Sequence, residues 1–320
     1  VSANVDEFVL RHAPGPTVGL DSSVERARSA LNGALVGLRS VQDSQLEFAW
    51  EWDGEEADVR YGFYRLLELL EAAEADARRS LGTAVAAEAR QPIAAATAAR
   101  WEWHGVLAAL DDADLDADPG GGEWTVRQTL QHTVSTQRAY SWVTAWWLSR
   151  RDAAENDFPP GFPPDQLSVL TAHEEADGSG PLAEIRARMD DLMDGGAARL
   201  ALLDPDDLGV RARWSGVAVT VGFRLWRWSS HIREHTVQVD KTLAMLGRTP
   251  TEAERLLRVI AAAYGRLESA VIAVPADAME RPGTDGRSAA AVLEAVAAVL
   301  ERYGASVPAA AQAAVPVTQE

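Results

Sequence analysis

The chain has 320 residues, 47% of them hydrophobic, and its 48 acidic side chains against 30 basic ones give a formal net charge of −18. That is enough apolar matter for one large domain or two of ordinary size, and the charge repels phosphate backbones and anionic membrane surfaces. Without a single cysteine, disulfides, thiolate metal ligands and a protein-borne thiol nucleophile are excluded, so any metal must be held by His, Asp or Glu.

No apolar run reaches the length of a membrane span, and VSANVDEFVLRHAPGP has no basic segment followed by an apolar one. A soluble cytoplasmic protein is expected, monomer or homodimer, with a small molecule as its partner and neither nucleic acid nor membrane. After an irregular start, helical spacing and a Ser-rich cap region predict a first helix over residues 22–41. A polar, Trp-containing connection, EFAWEWDGEEAD, leads to a second helix over 59–81. An Ala-rich segment and Pro92 precede a third helix over 97–115, and three consecutive glycines, Gly120 to Gly122, break the chain before a fourth over 125–151.

Residues 152–180, rich in Pro, Gly and acid, read as a crossover or lid. A fifth helix with a Gly pair inside it follows, then VRARW and VAVTV, a short β-hairpin around Ser215 and Gly216. The hairpin leads into a sixth helix ending near Leu246. Thr249, Pro250 and Glu252 predict the start of a seventh helix reaching Val274, an eighth spans 287–303, and the tail from Ala305 is expected to be loosely held.

Three segments align: ADVRYGFYRLLELLEAAE, WTVRQTLQHTVSTQRAYS and, more faintly, GRSAAAVLEAVAAVLERY. In this alignment the position of His132 is Arg65 in the first copy and Glu294 in the third, so only the middle copy has an imidazole. The expectation is an all-α protein: a four-helix bundle over residues 92–248 with a long crossover and a hairpin, and a second, discontinuous bundle from 1–91 with 249–320, without histidine ligands.

The sixth helix carries the chemistry. His231 and His235 stand one turn apart, so both imidazoles project from one face and can grip one ion. At 100° per residue from His231, His235 falls at about 40°, Gln238 at about −20° and Glu234 at about −60°. Glu234 and Gln238 thus flank the pair as candidate catalytic groups. Arg224 and Arg227, two turns and one turn before His231, read either as contacts for an anionic substrate group or as partners in salt bridges with the acidic surface. His132 lies 99 residues upstream, on a helix face with Thr129, Thr136, Tyr140, Val143, Trp146 and Trp147, a mixture suited to a pocket wall. Tyr140 and Trp147 are its candidate substrate-binding residues. Helical bundles build metal sites from facing helices in this way, and three nitrogens leave positions open on the ion. His104, beside two Trp, and His173, in the acidic loop, are read as incidental.

GGGEWTVRQTLQHTV followed about a hundred residues later by HIREHTVQV resembles the DinB-like metalloenzyme superfamily, which includes bacillithiol and mycothiol S-transferases and mycothiol-dependent maleylpyruvate isomerase. The resemblance covers roughly residues 92–248. It implies that His132, His231 and His235 are metal ligands, with zinc or nickel the first expectation and iron or manganese also compatible. The isomerase branch has Glu at the position of His231, so the His here resembles the bacillithiol-transferase branch. The implied chemistry is activation of a low-molecular-weight thiol, the cosubstrate, for attack on an epoxide, activated alkene or halide. Two other readings stay open: a non-catalytic small-molecule binding or regulatory module with a structural or vestigial metal, and an HxxEH metalloprotease with Glu294 as third ligand.

Overall fold

The computed structural model describes residues 19–82, 88–154 and 157–313; the predicted irregular start before residue 19 and the last residues of the predicted loose tail lie outside them. The described chain is mostly helical, an all-α fold with two small hairpins. In order it runs α1 (Ser22–Leu38), β1 (Ala49–Trp52), β2 (Glu55–Asp58), α2 (Val59–Leu81), α3 (Gln91–Leu107), α4 (Val126–Leu148), α5 (Pro164–Thr171), α6 (Glu174–Asp177) and α7 (Leu182–Leu200). Then come β3 (Arg211–Trp214), β4 (Val217–Thr220), α8 (Val221–Met245), α9 (Glu252–Val271), α10 (Ala276–Met279) and α11 (Ala289–Gln312). Two compact units divide these elements, α4 to α8 in one and α1, α2 and α9 to α11 in the other. Helix α3 contributes its residues up to Thr97 to the first unit and those from Ala98 to the second.

A recurrent joint precedes three of the long helices. A 3-10 turn closed by a reciprocal capping box stands at Asp43–Gln45, Asp112–Asp114 and Pro205–Gly209. Asp58, Thr125 and Thr220 then cap α2, α4 and α8, each accepting the N–H three residues on, and Val59, Val126 and Val221 follow fully buried. The caps satisfy the helix's orphan donors and fix its register. Ser288 caps α11 in the same manner, which corrects the repeat alignment by one residue: seven positions after the cap stand Arg65, His132 and Ala295, not Glu294.

The predicted β3–β4 hairpin is present, pairing Trp214 with Val217 across Ser215 and Gly216, whose φ of 48° and 83° suit the turn type that matches strand twist. A second hairpin, β1–β2, replaces the expected polar connection. Asp53 and Gly54 turn it with φ of 50° and 89°. The eighth helix also runs on through Pro308 to Gln312, where looseness was expected. Val307 and Pro308 are buried there, and a Cβ on Gly304 would sit 2.6 Å from Ala34 Cα, so α11 lies directly against α1. That packing outweighs the weak helical preference of the segment.

In the second unit α11 packs on α1 and α2, and α9 on α2. The Asp43 carboxylate accepts the N–H groups of Glu252 and Ala253 at 3.0 and 2.9 Å, capping α9 from a distance in sequence. These backbone hydrogen bonds hold its pKa below the ordinary 3.8. The stabilisation is therefore present above about pH 3.8 and lost as pH falls through the lower folded value. Asp43→Ala should lower stability by about 1 kcal/mol at pH 7. Thermal unfolding of both proteins should show that difference shrinking at pH 3.

Candidate metal centre

In the first unit α4 packs on α7 and α8, and the crossover lies over α4 as α5 and α6. A buried ion pair from Arg138 to Asp177 pins α6 to α4. Gly196 of the predicted Gly pair lets α7 close in, since a Cβ there would come within 2.7 Å of Ser141 and 2.9 Å of Trp228. Trp228 in turn donates to Gln137 Oε1 at 2.6 Å, tying α8 to α4. These contacts set the two helices that carry the histidines.

His132, His231 and His235 each present one nitrogen within 4.8 Å of the others. Nε2 of His235 lies 3.1 Å from Nε2 of His231, close to the separation of about 3.3 Å expected of two nitrogens on one tetrahedral ion. The outer nitrogens are held. His235 Nδ1–H donates to Gln238 Oε1 at 2.8 Å. Thr136 Oγ1 spends its hydrogen on the Thr133 carbonyl, so its oxygen faces His231 Nδ1 at 3.5 Å as an acceptor. Both imidazoles thereby turn a lone pair toward the common centre, the arrangement that orients metal-ligating histidines.

Burial favours the neutral rings. It pulls His231 down to about 3, helped by its two histidine neighbours and Arg227, and it lowers His132 and His235 as well, with Gln238 opposing the shift at His235. Neutral imidazole is the ligating form, so the cluster can take up an ion near neutrality without first losing protons. His231 and His235 are buried and His132 is only partly so, which makes the α4 ligand the one that solvent reaches. The residues present therefore fit a divalent ion held by three nitrogens. Gln238→Leu should weaken metal affinity by about 10–100-fold, measured by competition with a chromogenic chelator.

Among the other predicted residues, Tyr140 is brought beside His231, with ring centroids 5.3 Å apart. Arg227 pairs with Glu234 at the exposed rim, which lowers the Glu234 carboxyl through their hydrogen bond. Gln238 is a positioning residue for His235. Arg224 is buried, bound to Thr144, to the Arg213 carbonyl and to that of Ala139. Trp147 is a correction. It stands fifteen residues beyond His132, about 22 Å along the helix, and packs against Trp146 and Phe158 instead of the histidines.

Trp124, the aromatic residue of the GGGEWTVRQTLQHTV motif, also belongs to the site. Its ring lies 5.3 Å from that of His132 and 6.4 Å from that of His235, nearly parallel to the latter, and its carbonyl accepts from Thr242. Its place immediately before the Thr125 cap is the signal that would have found it, because His132 comes two turns after the cap. Glu294 is ion-paired to Arg26 at the surface, and the third member of the ligand cluster among the described residues is His132, not the carboxylate that the protease reading needs. His104 is buried between Trp101 and Trp103. In the second unit the corresponding cap-counted positions hold Arg65, Val299 and Tyr303, none of them an imidazole.

Residues 95–239 match the family model of the DinB superfamily. No curated protein and no solved structure matches the chain. No helix among the described residues is long and apolar enough to cross a membrane.

Proposed function

From the match of residues 95–239 to the DinB superfamily model and from the histidine cluster, we propose that the chain is a metal-dependent enzyme that activates a low-molecular-weight thiol, of the mycothiol or bacillithiol class, for attack on a small electrophile. The observation that carries this reading is the convergence, among the described residues, of three imidazole nitrogens that burial keeps neutral, one of them, on His132, only partly buried. A structural site closes with four protein ligands, whereas three leave room for a substrate atom. Zinc or nickel suits the nitrogen set best, with iron and manganese also accommodated.

When bound, the ion supplies a positive charge that lowers the pKa of the thiol and so makes the nucleophile. The chain does the rest. Gln238 and Thr136 fix the imidazoles, and Trp124 and Tyr140 wall the space beside them. In this reading Glu234, half of an ion pair with Arg227, relays a proton between the site and solvent. The test is conjugation of mycothiol or bacillithiol to monochlorobimane by the zinc-loaded protein, followed by fluorescence. A rate above background that disappears in His132→Ala supports the enzyme. Metal retention with no acceleration for either thiol would favour a binding module.

A further inference from the structure

We propose that Tyr140 and Arg224 form an anion subsite beside the three histidines, and that it takes a carboxylate of the substrate. The inference rests on reading the histidine cluster as a substrate-binding metal site. Its starting point is a buried cation without a counter-ion. Arg224 is 4% exposed, and its hydrogen bonds go to three neutral oxygens, Thr144 Oγ1 at 3.1 Å, the Arg213 carbonyl at 2.9 Å and the Ala139 carbonyl. No carboxylate lies within ion-pair distance of it among the described residues, and burial draws its guanidinium down to about 10. A guanidinium has five N–H donors, so two stay available. A buried charge that meets only neutral partners is costly unless something else completes it.

The second observation is independent. Tyr140 is 1% exposed and its hydroxyl is buried without a hydrogen-bond partner. Its ring stacks on Trp214 at 5.4 Å, and the Arg224 guanidinium lies 5.2 Å from the centre of that same indole. An O–H donor without a partner among the described residues and a buried cation with donors to spare thus meet at one indole, with the Tyr140 ring 5.3 Å from that of His231.

A carboxylate answers this set. It only accepts, it carries one negative charge, and its two oxygens can take the Tyr140 hydroxyl and an Arg224 N–H together. A phosphate would bring more charge and more acceptors than the spare donors match, since Arg227 already holds Glu234. A neutral group would leave Arg224 uncompensated. The nearness of Tyr140 to His231 limits the substrate to a few carbons between its carboxylate and the atom that reacts.

The probes are 3-mercaptopropionate and its amide, 3-mercaptopropionamide, titrated into the cobalt-loaded protein and followed by the thiolate-to-cobalt absorption in the near ultraviolet. The acid should bind at least tenfold more tightly than the amide. Tyr140→Phe should cut that preference several-fold, and Arg224→Gln should abolish it, with the absorption retained for both thiols. Equal affinities in the wild type overturn the subsite while leaving the thiol reading intact. If cobalt is bound but neither thiol gives the absorption, the thiol reading fails and calorimetric titration with propionate decides the subsite. Propionate binding that is lost in Tyr140→Phe supports it, and no propionate binding overturns it. Tyr140→Phe removes an oxygen that makes no hydrogen bond, so it keeps the test valid if Arg224→Gln does not fold.

Discussion

His132→Ala should strip the purified protein of a transition metal that the wild type holds at about one equivalent per chain, as measured by plasma mass spectrometry. The loss follows from the geometry: α8 alone offers two nitrogens, and the third comes from α4. Two imidazoles one turn apart remain in the variant, and an ion that loses one of three protein ligands loses far more affinity than the 10–100-fold typical of an outer hydrogen-bond partner. Glu294→Ala is the matched control, since it removes a surface ion pair with Arg26 and should leave the metal in place. Equal metal in wild type and His132→Ala would mean that the ion, if present, sits elsewhere. No metal in either after incubation with zinc and nickel would end the metal-centre reading.

Glu268→Ala should be the most destabilising single change outside that centre, by about 3–5 kcal/mol. Glu268 is fully buried on α9 and accepts from two cations, Arg28 at 2.9 Å and the equally buried Arg100. Taking away the carboxylate deprives Arg100, 1% exposed, of a buried counter-charge. The close approach of α9 to α3, where a Cβ on Gly265 would meet Trp101 Cβ at 2.7 Å, gives the structure little room to admit water. Arg28→Ala should cost less, because Arg28 is partly exposed and Arg100 still pairs with Glu268. Urea unfolding of the three proteins checks the order. A Glu268→Ala effect below about 1 kcal/mol would show that the pair is solvated or that its loss is relieved by repacking.

The helices were legible where caps and periodicity agree. Val59–Leu81 emerged with both ends correct, and the Ser215–Gly216 hairpin declared itself through its turn residues. The first hairpin was hidden because β2, Glu55–Asp58, is acidic and has no apolar alternation, although Asp53–Gly54 is as strong a turn signal as any in the chain. The last turns of α11 were hidden because Ala and Pro carry no periodic signal. Their burial against α1 is what holds them.

The site divides along the same line. The sequence by itself determined that His231 and His235 share a face, that Gln238 and Glu234 flank them, and through the family motif that His132 belongs with them. These are properties of a single turn or of a short linear pattern, and helical geometry makes them independent of the rest of the fold. The tertiary structure alone decided that Trp147 is too far along α4 to take part, because a helical wheel keeps angle and discards axial distance. It also decided that Trp124 and Tyr140 stand against the imidazoles and that Arg224 is buried with no carboxylate beside it among the described residues. Such facts depend on which elements pack together across a hundred residues, and on the order and spacing with which α4, α8 and the β3–β4 hairpin meet. No local pattern encodes that, since it is set by the complementary shapes of the packed helices.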